Sequence, residues 1–398
     1  MFERDILIIG GGPGGLSTAL HIARGFPDLA PRLLVLEKEH YPRLKLCAGG
    51  LALDAEVILE QLGLNVSEIP HVDVDHVHFE FEARGLNMRV PGRHALRVIR
   101  RDDFDHWLAV CARERGIEIW EGVTVRNIKT GPDGVSVETD QGNFQAQIVV
   151  GADGSNGITR RCLLPHTPVH TARVLEILAP ATGGDRRRFA YFDFLPVPQN
   201  IAGYVWDFPT QVKGEPMRCW GIYDTNLLSD GRRPQLKEPL AREMSRVGFN
   251  LEEYEIKGHP IRWFSPENPM SALRVLFVGD AAGADPLFGE GISIALGYGA
   301  LAAREIGEAM QRNEFSFTGY KNRVLRSPLG QSLISRWILS QIVYSLKWKW
   351  FQILLWRIMK PIVILVAWLF VLNWGKRLSF YDLIFLRKPG VFNSRSSR

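Results

Sequence analysis

The sequence predicts an α/β (α+β) chain: a nucleotide-binding βαβ domain, interrupted by a mainly antiparallel β-sheet domain and followed by a helical C-terminal region. Three observations predict it. DILIIG (5–10) is an apolar, β-rich run ending in the glycine turn GGGPGG, residues 14–25 continue with a helical pattern, and LLVLEK (33–38) reads as the next strand. Residues 72–100 and 170–264 are rich in strand patterns, with HVHFEFEA and FAYFDFLPV the clearest. The chain beyond 330 departs from both in its tryptophan and basic content.

Composition narrows the class. With 398 residues and 46% apolar content, the chain can bury a large core as one domain or two intimate ones, which excludes a disordered or fibrous protein. Cys47, Cys111, Cys162 and Cys219 lie far apart with no paired spacing, so neither a disulfide framework nor a cysteine-rich zinc site is indicated. A reducing, intracellular setting follows. MFERDILIIG places charges before an apolar run too short for a signal peptide, so export is not expected. The net charge of +5 is uneven: from Gln331 on, eleven Lys and Arg face the single acid Asp382, a local +10 that leaves −5 on the first 330 residues.

Taken in order, the elements place the chemistry. Gly10, Gly12 and Gly15 fit G-x-G-x-x-G between a strand and a helix. The first glycine permits the tight turn, the second lets a pyrophosphate approach the backbone, and the third lets helix and strand pack closely. The helix then presents its unpaired N–H groups and positive end to the phosphates. Glu37 ends the second strand, 22 residues after Gly15, where an acid binds ribose hydroxyls. These residues indicate a Rossmann-like dinucleotide site and leave NAD and FAD both open. A helix is expected over 103–115, with Phe104, Leu108 and Cys111 on one face, and residues 117–150 alternate as antiparallel strands around the GPDG turn at 131–134. GYGALA (297–302) lies inside a helical pattern, so its glycines read as helix packing and no second nucleotide fold is indicated. HVDVDHVH (71–78) scatters its ligand types over both faces of a strand and does not read as a metal site.

The stretch VLFVGDAAGADPLFGEGISIAL (275–296) suggests a third return of the chain to the same ligand. A strand there delivers Asp280 to polyol hydroxyls, Gly289 and Gly291 after Pro286 allow backbone against a flat ring, and the helix starting near Gly291 aims its positive end at that ring. A reduced flavin, which gains negative charge on its pyrimidine side, suits such a helix end.

GDAAGADPLFGEGI, GGGPGG and VVGADGSNGITRR (149–161) together resemble the flavoprotein group that includes p-hydroxybenzoate hydroxylase. PRLKLCAGGL (42–51) and GYVWDFP (203–209) resemble the P-R-x-K-x-C-G-G-x-L and G-Y-x-W-x-F-P strings of the geranylgeranyl reductase family. The likeness covers roughly residues 5–330 and implies FAD as cofactor. On the adenosine and pyrophosphate side it implies contacts from Gly10, Gly12, Pro13, Gly14, Gly15, Glu37, Lys38 and Val123, with Arg101 approaching the FAD. On the flavin side it implies Arg43, Cys47, Ala48, Gly49, Pro286, Gly289, Gly291 and Ile292, at the ribityl and pyrophosphate region Gly279 and Asp280, and beside both cofactor and substrate domain Asp153 and Gly154, and it makes Tyr204, Trp206 and Phe208 an aromatic substrate lining. Two positions depart from the pattern: Ala48 stands where a glycine is usual, and Gly157 where the D-G motif carries serine.

The resemblance implies hydride transfer from reduced flavin to a double bond of a long isoprenoid, with NADPH or ferredoxin as electron donor and Cys47 as candidate proton donor. A flavin monooxygenase or halogenase on a hydrophobic substrate is the alternative, and a silent flavin-binding membrane scaffold the third. The expected domains are a discontinuous FAD domain (1–70, 101–168, 266–330), a substrate domain (71–100, 169–265) and a tail (331–398). Residues 337–374 hold six of the eleven tryptophans, interleaved with Lys347, Lys349, Arg357 and Lys360, and the uncharged run Pro361–Gly375 is only 15 residues. Such a segment is expected to lie at the cytoplasmic face of a membrane, peripheral or monotopic, rather than to span it; a buried cap over the pocket is the other reading. Its runs are too apolar for nucleic acid.

Overall fold

The computed structural model describes residues 2–181, 188–227 and 234–379. Asp382 and the basic residues after it lie outside these. The described residues form three sheets. The first holds β1 (Phe2–Ile9), β2 (Leu33–Leu36), β8 (Glu118–Trp120), β9 (Val125–Thr130), β10 (Val135–Thr139), β11 (Gly142–Gly151), β17 (Ser271–Ala272) and β18 (Val275–Phe277). Its order is β17-β18-β11-β1-β2-β8, and β1 runs parallel to both β2 and β11. Ile6, Leu7 and Ile8 have no exposed surface, which is why β1 reads as a continuous apolar run rather than an alternation. The GPDG turn closes as a hairpin, with the Gly131 N–H donating to the Gly134 carbonyl at 2.9 Å.

Helices α1 (Pro13–Gly25) and α3 (Arg101–Glu114) follow β1 and precede β8, and α2 (Leu53–Gln61) lies between them in sequence. α3 starts two residues earlier than its apolar face suggests, with Asp102 and Asp103 in its first turn, where acids favour a helix start. α4 (Ile158–Leu163) follows the D-G turn, α5 (Lys237–Ser245) backs the second sheet, and α6 (Ile292–Arg312) packs along α1. Both glycines of GYGALA serve helix packing: a side chain on Gly299 would meet Ser17 of α1 at 2.5 Å, and one on Gly297 would meet Trp374 of the C-terminal region at 2.7 Å.

The second sheet is drawn from two separated stretches, β5 (His76–Phe81) and β6 (Arg84–Met88) with β12 (Thr171–Pro180), β13 (Phe189–Asp193), β14 (Gly203–Val212), β15 (Glu215–Asp224) and β16 (Lys257–Arg262), in the order β16-β12-β15-β14-β13-β5-β6. A small third sheet of β3 (Gly50–Leu51), β4 (His71–Val74) and β7 (Leu96–Ile99) lies between it and the first sheet in the chain. One face of the large sheet carries Tyr204, Trp206, Phe208 and Tyr223; the other packs Ile177, Trp220 and Ile222 on α5.

After α7 (Tyr320–Arg326), the C-terminal region begins with α8 (Pro328–Ser345), so a boundary at 331 falls inside a helix. Next come α9 (Lys349–Ile353), which continues through a π-helical turn (Leu354–Ile358), and α10 (Lys360–Val366). This region lies over the aromatic face: Trp356 stacks on Phe194 at 4.0 Å, and Arg357 donates to the Phe81 carbonyl at 2.7 Å. Farther along, the Gly375 N–H donates to Asp54 at 2.8 Å. Most firmly, Arg336 of α8, fully buried, pairs with Asp285 at 2.5 Å and Glu290 at 2.8 Å. Burial works against its guanidinium, but the two carboxylates more than offset this and hold it charged. Removing one partner of a buried ion pair strands the other, so Arg336→Ala is expected to destabilise the protein by about 3–5 kcal/mol in urea denaturation. A loss under about 1 kcal/mol would show that this pair does not hold the tail.

Candidate functional site

The glycine turn after β1 is built by close approach. Gly10 has φ +107°, and a side chain there would run into the Ala152 backbone; one on Gly15 would strike the Gly10 carbonyl. Gly14, beside Pro13 at the start of α1, packs on Gly279 with 3.2 Å between a virtual Cβ and its backbone nitrogen. Gly12 differs. Its virtual Cβ meets nothing closer than Arg43 Nη2 at 3.6 Å and Arg101 Nη2 at 4.0 Å, so two guanidinium groups stand over an open backbone. Both are held by one fully buried carboxylate: Arg101 makes a bidentate pair with Asp105 at 2.8 Å, and Arg43 reaches the same Oδ2 at 3.0 Å. Burial opposes the Arg101 charge and Asp105 more than restores it. Arg43 also pairs with the buried Glu37, its Nε 3.6 Å from that carboxylate and beyond hydrogen-bond reach. A helix N-terminus, an open glycine and two oriented guanidinium groups fit a pyrophosphate.

Glu37, 4% exposed, accepts from the Gly11 N–H at 2.8 Å and the Glu39 N–H at 3.1 Å, which fixes its carboxylate and leaves acceptor capacity for hydroxyls. The Val123 N–H bonds the Glu37 carbonyl at 3.0 Å and so ties β2 to the same corner. Lys38 points away, exposed and paired with its neighbour Glu39.

Three loops meet at the other end. In the D-G turn, Asp153 turns its carboxylate inward to the Thr159 N–H at 2.8 Å and hydroxyl at 2.9 Å, and Gly154 takes φ +81°. That inward turn accounts for Gly157: a side chain there would overlap the Asp153 carboxylate. In the G-D turn, Gly279 has φ +57°, and Asp280 accepts from the Ser155 hydroxyl at 3.2 Å. Asp280 also lies at the head of α6, 3.5 Å from a virtual Cβ on Gly291, which precedes Ile292. In the loop 42–51, Gly49 has φ +79° against the Ile99 carbonyl, where any side chain would clash. Gly50 abuts the Phe208 ring, 3.2 Å from its virtual Cβ, and Ala48 packs toward the same aromatic cluster. The Cys47 Sγ accepts from the Gly49 N–H at 3.4 Å, and burial raises its thiol pKa.

The aromatics of the second sheet converge on residues 285–290. The Tyr204 hydroxyl donates to the Phe288 carbonyl, and Tyr223 donates to Pro286 at 3.3 Å while its ring seats Gly289, which has φ +65°. Trp206 and Phe208 extend the same face.

Several residues escape a reading of the sequence. Asp105 was visible in principle as the i+4 partner of Arg101. Lys45, inside the PRLKLC string, is brought near Asp280 and Arg101, and burial lowers its pKa. His259 on β16 is held neutral, its pKa lowered to about 4 by burial and then by Lys45 and Arg101, with Nδ1 unpartnered. Glu176 on β12 has one oxygen, Oε2, with no partner. An acid inside ARVLEILA was its only signal. Among the described residues no cluster of three or more His, Cys, Asp or Glu is placed to hold a metal ion.

Fold and site define a geranylgeranyl reductase-like FAD-dependent oxidoreductase. Residues 3–311 match the FAD binding domain family, and the chain belongs to it. It is 25% identical over 339 residues to a digeranylgeranylglycerophospholipid reductase of Thermoplasma acidophilum, covering 78% of this chain and 80% of that one. Its fold is similar to a geranylgeranyl bacteriochlorophyll reductase-like protein of Thermoplasma acidophilum, with TM-score 0.78 and 21% identity over 96% of this chain and 99% of that one. It is also similar to a flavin-dependent halogenase, with TM-score 0.66 and 20% identity over 97% and 78% of the two chains.

The two kinds of glycine separate experimentally. Gly12→Val is expected to leave a folded protein without yellow FAD, whereas Gly10→Val should fail to fold; normal FAD content in Gly12→Val would remove the turn from the site. Asp280→Ala should weaken FAD binding by about 1–3 kcal/mol in a fluorescence titration, the scale of a charge-assisted hydrogen bond.

Proposed function

We propose that the protein reduces carbon–carbon double bonds of a prenyl lipid, geranylgeranyl in type, with FAD as the resident cofactor and NADPH or ferredoxin as electron donor. Bound FAD, once reduced, supplies a hydride. The observation that carries this reading is the contact between the cofactor cradle and an aromatic wall. The Cys47–Gly50 loop, one side of the cradle, rests on Phe208, and the wall continues through Tyr204, Phe192, Phe194 and Trp356. Such a surface suits a long apolar chain whose reacting carbon must lie at the flavin. The name of the archaeal relative points the same way.

The C-terminal region supports a membrane-surface location at the cytoplasmic face. Its inner side covers the aromatic wall, while Trp348, Trp350, Ile358, Ile362, Leu365 and Phe370 are each at least half exposed on its outer side. Lys360–Ser379 is long and apolar enough to cross a membrane by length and composition. A spanning position would break the bonds from Ser332 and Arg336 to the Val371 carbonyl and from Gly375 to Asp54, so a helix lying in the headgroup layer is the reading adopted.

Incubation with an electron donor and prenyl lipids, followed by mass spectrometry, tests the chemistry. A gain of two hydrogens is expected; a gain of oxygen or halogen would replace reduction by the monooxygenase or halogenase reading, and no change would leave a flavin-binding scaffold. For the membrane, full-length protein is expected to pellet with anionic liposomes and to stay bound as salt screens its charges, because the exposed side is mainly apolar. Trp350→Ser with Leu365→Ser should weaken this without loss of FAD, and protein that stays in the supernatant at low salt would refute the location.

A further inference from the structure

β12 lies between β15 and β16, and alternation sends Val174, Glu176 and Leu178 to the aromatic side while Ile177 and Ala179 face α5. Glu176 therefore stands in the apolar wall itself. It is level with Gly221 on β15, which is level with Trp206 on β14. A side chain on Gly221 would overlap the Trp206 indole, so that ring lies flat across the row beside Glu176. Glu176 is 4% exposed, and its Oε2 is buried without a hydrogen-bond partner. An ionised carboxylate in that state costs far more than any packing it contributes, whereas a protonated one is tolerated. The groups that face it are the Cys47 backbone N–H from the cofactor loop, Arg100 ahead of α3, Lys257 on β16 and Cys219 on β15. Burial raises its pKa, the Cys47 N–H, Arg100 and Lys257 oppose this, and the result is about 7.

We propose that Glu176 is the proton donor of the double-bond reduction, reaching the substrate from the wall beside Cys47. This rests on the reading above. In the step, the alkene π bond breaks, one carbon takes a hydride and both electrons from reduced FAD, and the other takes the proton as the Glu176 O–H bond breaks. Oxidised FAD and a carboxylate remain, and the carboxylate regains its proton from water. Cys47 is the poorer donor: its buried thiol is raised above an already high value, whereas a carboxyl group near neutrality is both protonated and acidic enough to give the proton up.

The holoenzyme, its FAD reduced anaerobically with dithionite, is mixed with a geranylgeranyl lipid, and flavin reoxidation is followed across pH. Wild-type reoxidation is expected to slow as pH rises through about 7. In Glu176→Gln it should be slower by about 10²–10⁴-fold and flat with pH, with FAD content and dithionite reduction unchanged. A second readout needs no turnover. The folded-state pKa lies above the unfolded carboxylate value, so the stability from protonated Glu176 is present at low pH and lost as pH rises through about 7. Glu176→Gln abolishes that loss, so its urea midpoint should gain on wild type between about pH 5 and 8. Wild-type reoxidation in Glu176→Gln, or no gain in midpoint, overturns the proposal, as does loss of FAD in both Glu176→Gln and Glu176→Asp. If wild type does not respond to any prenyl lipid, the prenyl-lipid reading falls and the donor role with it, while the midpoint shift still reports the protonated state.

Discussion

Residues 285–290 are where the separate parts of this protein are joined. Asp285 is fully buried, and its carboxylate is held by Arg336 of α8 and by the backbone N–H groups of Leu287 and Phe288 at 2.7 and 3.2 Å. The carbonyls of the same segment receive the hydroxyls of Tyr204 and Tyr223 from the second sheet and of Tyr344 from α8. One short loop thus takes three tyrosine hydroxyls that would otherwise be buried without partners and supplies both carboxylates that pair with Arg336. Because the loop leads directly into α6, whose head lies beside Asp280, the G-D turn, the second sheet and the C-terminal helices share one set of bonds.

A second economy governs the phosphate side. Arg43 and Arg101 come from a loop and a helix that are distant in sequence, and a single carboxylate, Asp105, orients both. Glu37 stands 3.6 Å from the Arg43 Nε as a second acid, so the corner is balanced in charge and what it offers an anion is two oriented guanidinium groups over the open Gly12.

The C-terminal region has two apolar sides with different consequences. Its inner side is consumed by the core, as Trp356 on Phe194 and the fully buried Trp374 show. Its outer side leaves Trp348 and Trp350 more than half exposed, beside Lys347 and Lys349, which bond Asn200 and Glu82. A cap and a surface-seeking helix are therefore compatible in one segment. Tryptophan count alone does not separate them, since indoles facing in and out are the same letters in the sequence.

The sequence by itself determined the local pieces whose physics is short-range. A glycine turn between strand and helix, an acid at the end of β2, strand alternation and the D-G and G-D strings are legible because each is a constraint among neighbouring residues. The bidentate Arg101–Asp105 pair was open to the same reading, four residues apart on one helix. What only the tertiary structure decided concerns residues whose roles depend on burial and on distant partners. Glu176 is an unremarkable acid until β12, β15 and the Cys47 loop remove its water. Arg336 looks like one more basic residue of the tail until it meets Asp285, 51 positions earlier. Desolvation and long-range charge pairing arise only once the chain has closed on itself, so pattern and spacing along the sequence do not encode them locally.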